Sequence, residues 1–447
     1  MNYCRIKTRG RTVLLTVVLL LCFAATGMAK IDGVTDLGLS PVFNLTAKPG
    51  HVSTPDGNSI YFWGYADNTT GQVQYPGPTL IVRQGATVTI NLTNNLAVPT
   101  SMVFPGQKVT ASGGTPGLLA SEAAPTTGTV SYTFTATNAG TYTYYSGTQP
   151  DLQGEMGLFG ALIVRPNNFN AASPTAYGAP TSAYDNEYLF LLSEMDPDIH
   201  MRVEMGFPVD TTANHPVNWF INGRGGPDTV APAGAEAAWL PTQPYNCFPR
   251  ATPGQRVLLR FIGGGRDGHP LHTHGNNFDL IARDGRALES AVGAARAAEV
   301  GVVPDLAVSD FTQSVFPGAT YDAIFTWTGK NLGWDIYGTT DKMPHTCVDS
   351  GNGFDATTHE WCADHDKPLP VILPDIKDLV FGQFYSGSPY LGAAGQLPPG
   401  EGGFNQNAGF FFMWHSHNEK ELTNNDIFPG GMMSMFVVEP PGTVIVE

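Results

Sequence analysis

Apolar and polar residues alternate with a period of two in many short stretches of the chain. Val88-Thr89-Ile90-Asn91-Leu92 and Val130-Ser131-Tyr132-Thr133-Phe134 place every second side chain on one face, the pattern of a strand covered by a core on one side. Leu158 to Val164 is apolar almost without interruption, as in a strand buried on both faces. Turns rich in Gly, Pro and Asn separate these stretches, so residues 30–165 are expected to form one Greek-key β-sandwich. Residues 166–182, dominated by Asn, Ala, Ser, Thr and Pro, read as a linker. From 183 to 447 the same grammar returns in Tyr188-Leu189-Phe190-Leu191-Leu192, in Arg256 to Ile262 and in Ala323 to Trp327. One helix is expected, around Leu288 to Val300. Residues 331–408 lose their periodicity, and a loop of that length in a compact domain points to a functional or capping insertion. The expected fold is all-β, with two sandwiches in tandem and the insertion in the second. Heptads and helical repeats are missing, which excludes coiled coils, bundles and solenoids.

Composition sharpens this picture. The chain has 447 residues, with 52 Gly, 35 Pro and only 14% charged residues, against about 25% in an average soluble domain. Many turns and few charges suit short strands. The formal net charge is -16, and basic residues cluster only within the first dozen positions, which argues against a nucleic-acid partner. Those positions begin a different kind of segment. Arg5, Lys7, Arg9 and Arg11 precede an apolar run from Thr12 to Ala25, and Gly27-Met28-Ala29 offers small residues for cleavage. Residues 1–29 are therefore expected to be a secretory signal, too short in its apolar core for stable membrane insertion. The mature protein is expected to be periplasmic or secreted.

Export bears on the cysteines. Past the signal only Cys247, Cys347 and Cys362 remain. Cys347 and Cys362 flank a Gly- and Asp-rich loop, and an oxidising compartment favours a disulfide between them. His345, His359 and His365 lie around the same pair, so a Cys/His metal site is the competing reading. Cys247 is expected to be a buried thiol.

Five of the eleven histidines fall into two tight clusters: His269-Pro270-Leu271-His272-Thr273-His274 and His415-Ser416-His417. On a strand, residues i and i+2 point to the same face, so each His-x-His pair can offer two imidazoles to one ion. His269, His272, His274, His415 and His417 are the candidate metal ligands.

These strings, taken with Tyr75-Pro76-Gly77-Pro78-Thr79, Met156-Gly157-Leu158-Phe159-Gly160, Ile221-Asn222-Gly223-Arg224 and Pro429-Gly430-Gly431-Met432, resemble the multicopper oxidases, the laccase-like cupredoxin family. The resemblance runs over nearly the whole chain past residue 30. It implies tandem cupredoxin sandwiches, one mononuclear copper bound by two His, a Cys thiolate and often a Met, and a trinuclear cluster bound by four His-x-His pairs.

This chain departs from that ligand set. Ser416 stands where the resemblance requires the Cys, and Glu421 where it requires a second mononuclear His; only His269 keeps its place there. In the first sandwich, Val103, Pro105, Tyr145 and Gly147 occupy the four positions of the first two His-x-His pairs. A serine hydroxyl cannot replace a polarisable thiolate, and Val, Pro and Gly offer no ligand. Four of eight trinuclear ligands remain, enough for one copper ion at most. No catalytic residue is assigned. The expectation is a non-catalytic scaffold or interaction protein that keeps the oxidase fold. The alternative is a copper-dependent oxidoreductase, acting on a metal ion or phenol, whose copper site is reduced or shared between subunits. For the second class the family's trimers suggest an oligomer, although copies of this chain bring only the same ligand-poor first sandwich. Metal storage by the histidines and the Met413, Met432, Met433 and Met435 group is a third class.

Overall fold

The computed structural model describes residues 31–291, 304–333, 335–337, 345–367, 410–439 and 445. The expected signal, most of the expected helix after Leu288 and much of the 331–408 insertion lie outside these residues.

Period-two patterning becomes two stacked sheets in the first sandwich. Along Thr87–Asn94 the side chains of Val88, Ile90 and Leu92 are buried, while their neighbours Thr89 and Asn91 are only partly covered. Thr129–Thr135 pairs antiparallel with that strand, with Tyr132 opposite Ile90, so the apolar faces coincide. The six-stranded sheet runs Val73–Gln74, Ser59–Asp67, Val42–Ser53, Thr87–Asn94, Thr129–Thr135, Thr110–Gly113. It faces a four-stranded sheet ordered Val34–Thr35, Gly77–Arg83, Phe159–Arg165, Gly140–Tyr145. Val42–Ser53 pairs parallel with Thr87–Asn94, and Phe159–Arg165 parallel with Gly77–Arg83, the crossings of a Greek key.

The second sandwich repeats the plan. Asn186–Met195 is buried at every position and lies between Asn218–Ile221 and Arg256–Gly263 in the larger sheet, which continues through Thr320–Thr326 and Phe278–Arg283. The facing sheet is ordered Arg250–Ala251, Met433–Val438, Phe410–Ser416, His269–Thr273, Thr312–Val315. Trp414, Phe412 and Phe436 from this sheet meet Phe190, Phe261 and Phe325 from the other in one core.

A third apolar cluster joins the sandwiches. Phe62, Tyr75, Phe159 and Ile163 of the first pack against Leu189, Leu191, Phe220 and Ile262 of the second. Burial of that surface makes the two units one body energetically. Beside it lies a polar cluster: Arg260, wholly buried, reaches Glu187 at 3.1 Å, Asp322 at 3.6 Å and Thr141 Oγ1 at 2.8 Å. Strings that carried the family resemblance sit at this junction. Gly223 has φ 82° and comes so close to Tyr75 that an added Cβ would lie 2.0 Å from the Tyr75 carbonyl oxygen. Glycine alone satisfies both the dihedral and the clearance.

Candidate metal centre

Two strands carry the histidine clusters, and their register decides what meets what. His269–Thr273 runs antiparallel to Phe410–Ser416, with Leu271 opposite Ser416, His272 opposite His415 and Thr273 opposite Trp414. Side chains directly across an antiparallel pair share a face. His272 and His415 therefore project together, and His274 and His417 follow two residues on. Ser416, between the two histidines of its pair, points to the other face, with Leu271 and His269. Trp414 Nε1 donates to the His274 carbonyl at 2.8 Å, and the His417 amide donates to the Pro270 carbonyl at 2.8 Å, which holds the register where the strands end.

The four imidazoles converge. Ring centroids lie 4.5 Å apart for His272 and His274, 4.9 Å for His272 and His417, 5.6 Å for His272 and His415, and 5.1 Å for His274 and His415. His274 Nε2 stands 3.1 Å from His415 Nε2. The partner of His415 Nδ1 is the Ser416 carbonyl at 2.7 Å, an acceptor, so Nδ1 carries the hydrogen and the lone pair of the neutral ring is on Nε2. His272 Nδ1 lies 2.8 Å from Thr312 Oγ1. Such outer partners fix ring orientation in metal sites. His272, His274 and His415 are buried and His417 is exposed, so the cluster opens to solvent on one side.

Electrostatics keep these rings neutral. Burial first, then the neighbouring His415 and His417, presses His272 down to about 4. Burial, then His272, His415 and His417, brings His274 to about 3. Burial also lowers His415. At pH 7 the lone pairs are free of protons, as a metal ligand requires.

His269 does not belong to this cluster, although it was a candidate ligand. Its Nε2 lies 2.8 Å from Glu194 Oε2 and its Nδ1 3.1 Å from Glu421 Oε2, all fully or nearly fully buried. Burial alone would lower its pKa; the two carboxylates overcome that and push it up to about 9. With a proton on each nitrogen, an imidazolium has no lone pair to give. Glu421 Oε2 also accepts the Ser416 hydroxyl at 2.6 Å, and its Oε1 accepts from Asn418 Nδ2 at 2.9 Å. Glu194 Oε1 accepts the amides of Arg266 and Asp267 at 2.5 and 3.0 Å. The ligand set of a mononuclear copper does not fit here: its thiolate is a hydroxyl, its second histidine a carboxylate, and its first histidine an ion-paired cation.

A trinuclear cluster does not fit either. Val103 and Tyr145 are bridged to each other through the Val103 amide and Tyr145 carbonyl at 2.8 Å. A Cβ on Gly147 would meet Val103 Cγ1 at 2.8 Å. Packing fills the positions where ligands would stand, and His51 is the one histidine of residues 31–165. One copper ion on His272, His274, His415 and His417 does fit: four imidazoles on one face, two of them with nitrogens 3.1 Å apart.

Sequence reasoning missed Glu194, which lies in the apolar run Leu191-Leu192-Ser193-Glu194-Met195. A charge inside such a run was the available signal of a buried partner. In the insertion, Cys347 and Cys362 are paired, so neither is a metal ligand, and Cys247 is a buried thiol.

Comparison with known proteins finds similarity to the same family. Residues 54–168 match the multicopper oxidase family model. A 96-residue segment is 40% identical to Multicopper oxidase MCE of Talaromyces pinophilus, covering 21% of this chain and 15% of that protein. A 120-residue segment is 34% identical to Copper resistance protein A of Escherichia coli, covering 27% and 18%. The matched segments thus span less than a fifth of either relative. The blue copper oxidase of Nitrosomonas europaea shares the fold at TM-score 0.51 and 17% identity, over 89% of this chain and 85% of that one. The multicopper oxidase mgLAC does so at TM-score 0.51 and 17% identity, over 91% and 88%.

Proposed function

For a chain that is multicopper-oxidase-like in sequence through its first sandwich and in fold through both, we propose a protein that has given up oxidase chemistry and holds one copper ion on His272, His274, His415 and His417. It serves as an exported scaffold or interaction protein, periplasmic or secreted, whose fold presents that ion. One observation carries the reading. The two faces of the Phe410–Ser416 strand have separate fates: the His415 face keeps four convergent imidazoles, while the Ser416 face replaces a copper with the Glu194–His269–Glu421 ion network. In the family the resemblance implies, electrons cross this strand from thiolate to histidine. Here the entry side has no thiolate, and its histidine is ion-paired on both nitrogens. A bound copper would supply a Lewis-acidic or one-electron centre, and this chain's part is to orient four imidazoles and, by burial, to keep His272, His274 and His415 unprotonated.

Copper analysis tests this on protein folded with copper and then desalted. We expect one copper per chain, no intense thiolate-to-copper band, and no dioxygen-dependent turnover of a phenol or ferrous ion. Three coppers per chain, or a band that depends on a cysteine, would sink the proposal.

Exposure of His417 supports a second reading, in which a partner protein adds ligands at the open side of the cluster. A second copy of this chain would bring to that edge no histidine pair from its first sandwich. A copper stoichiometry that stays at one in every complex the protein forms speaks against it.

A further inference from the structure

The insertion of the second sandwich brings together four side chains that have no counterpart in the copper ligand set. Asp335, His345, Glu360 and His365 each offer a ligand atom, and the four atoms lie within 4.8 Å of one another. We propose that they form a closed structural site for one divalent transition ion of the zinc class, bound as two imidazoles and two carboxylates.

Convergence is the first ground. His345 Nε2 stands 3.0 Å from Glu360 Oε2 and 3.5 Å from Asp335 Oδ1. His365 Nδ1 stands 3.1 Å from Glu360 Oε1 and 3.4 Å from Asp335 Oδ2. One nitrogen of each ring thus faces both carboxylates. A single N–H bond can point along only one of those lines, whereas an ion at the centre serves all four atoms. The nitrogen–oxygen separations, 3.0 to 3.5 Å with each ring facing its own oxygen of both carboxylates, are close to what an ion needs. An ion about 2.0–2.1 Å from four tetrahedral ligands holds them roughly 3.3–3.4 Å apart. Two imidazolium rings would balance the same negative charge, but like charges favour separation, and these ring centroids are 4.8 Å apart.

Support behind the ligands is the second ground. Asp335 Oδ1 accepts the Tyr337 amide at 2.8 Å and Oδ2 the Asp366 amide at 3.0 Å, which fixes the carboxylate plane. The Tyr337 ring meets His345 edge-on at 5.1 Å. Asp335 and Glu360 are buried, while His345 and His365 are partly open and give an ion a way in. Outer-shell hydrogen bonds of this kind orient ligands in metal sites.

Placement gives the site a purpose. Ile336 and Tyr337, next to Asp335, belong to the core of the second sandwich. Residues 345–367 form a polar loop held by the Cys347–Cys362 disulfide and by the Asp349 and Asp355 carboxylates, which cap its turns. Such a loop buries little apolar surface and needs staples. An ion on Asp335 ties it to the sandwich, as the disulfide ties it to itself. His359 takes no part, because its Nδ1 turns to the Pro253 carbonyl at 2.6 Å.

The test uses the full exported chain carrying His415→Ala and His417→Ala, so that the copper cluster cannot take the ion. Zinc titration against a chelating dye should give one equivalent per chain, and cobalt in its place should show the intense visible bands of tetrahedral coordination. Adding His345→Ala and His365→Ala should weaken zinc binding at least 100-fold. The milder Glu360→Gln, which keeps size and hydrogen bonding, should weaken it at least 10-fold if the double change impairs folding. Failure to bind zinc in protein with the disulfide intact overturns the proposal. So does zinc or cobalt binding that survives the loss of both histidines, or a cobalt spectrum with the weak bands of an octahedral ion.

Discussion

Ser416 donates its hydroxyl hydrogen to Glu421 at 2.6 Å, inside a core that admits no solvent to either group. A neutral donor thus stands where the resemblance puts a thiolate, and a carboxylate where it puts an imidazole. The Glu194–His269–Glu421 set then carries the charge of one cation between two anions, an arrangement that is stable while all members are present and costly to break.

Restoring the cysteine alone should not restore a blue copper centre. Ser416→Cys supplies a thiolate precursor but leaves Glu421 in place and His269 ion-paired on both nitrogens. It also removes a buried donor, at a cost of about 1–2 kcal/mol. Absorption spectroscopy after copper loading should show no intense visible band, and the urea midpoint should fall. An intense band in the single variant would mean that Glu421 does not keep copper from this place.

Alkaline pH should loosen the protein through His269. Its folded pKa, about 9, lies above the ordinary 6.5. The native state thus holds a proton that the unfolded chain releases from pH 6.5 upward. The contribution is fully present below about 6.5 and is lost as pH rises to about 9, at most roughly 3 kcal/mol over that window. His269→Gln should be less stable at pH 6 and nearly flat from 6.5 to 9. Urea unfolding at pH 6, 7.5 and 9 measures both curves; parallel slopes would refute the assignment.

The four-histidine cluster should act in the opposite direction. His272 and His274 have folded pKa values of about 4 and about 3, below the ordinary 6.5. Their contribution is present above about 6.5 and is lost as pH falls toward those values, because the unfolded chain binds the protons first. His415→Ala with His417→Ala relieves part of the crowding by like rings, so this acid limb should become shallower. The same double variant should lose bound copper while its near-ultraviolet circular dichroism stays native. Copper retained by that variant would place the ion elsewhere.

Much of this molecule could be read from sequence because strands write themselves at short range. Val88, Ile90 and Leu92 announced a face, and His272-Thr273-His274 announced two imidazoles on another. Antiparallel pairing of two such strands brought the four rings together without further information. The partners of His269 were not legible in the same way. Glu194 comes from a strand in the opposite sheet, 75 residues away in sequence, and no local pattern encodes that contact. The cluster of Asp335, His345, Glu360 and His365 was hidden for the same reason. Its spacing is irregular, two of its members are carboxylates in a polar loop, and the cysteines nearby drew the chemistry toward sulfur.

Arg260 should prove the costliest single charge in the interface between sandwiches. It is fully buried and serves Glu187 and Asp322 together with Thr141. Arg260→Ala leaves the buried Asp322 without its cation, while Glu187 keeps Arg165, a loss of about 3 kcal/mol. Calorimetry should then show a weakened junction as a lower or split transition, because the apolar cluster, the Arg165–Glu187 pair and the Tyr75–Ser193 hydrogen bond must hold the sandwiches together. A variant with one unshifted transition would show that the network contributes no stability.

Placing a histidine at position 147 should damage the first sandwich rather than create a copper ligand. Even a β-carbon there would lie 2.8 Å from Val103 Cγ1, 3.1 Å from Leu119 Cβ and 3.3 Å from Ser101 Oγ. Ser101 has little freedom to move, since its hydroxyl lies 2.9 Å from Thr148 Oγ1 and accepts the Gly147 amide at 3.1 Å. Overpacking of this kind costs about 1–3 kcal/mol. Shortening the neighbour opens space, so Gly147→Ala should be markedly less harmful in a Val103→Ala background than alone. A double-mutant cycle on urea midpoints reads that coupling directly. Additive effects would show that Val103 does not fill the space a side chain at position 147 needs. A Gly147→His protein as stable as the parent, with copper content raised above one per chain, would show that the first sandwich can accept a metal ligand there.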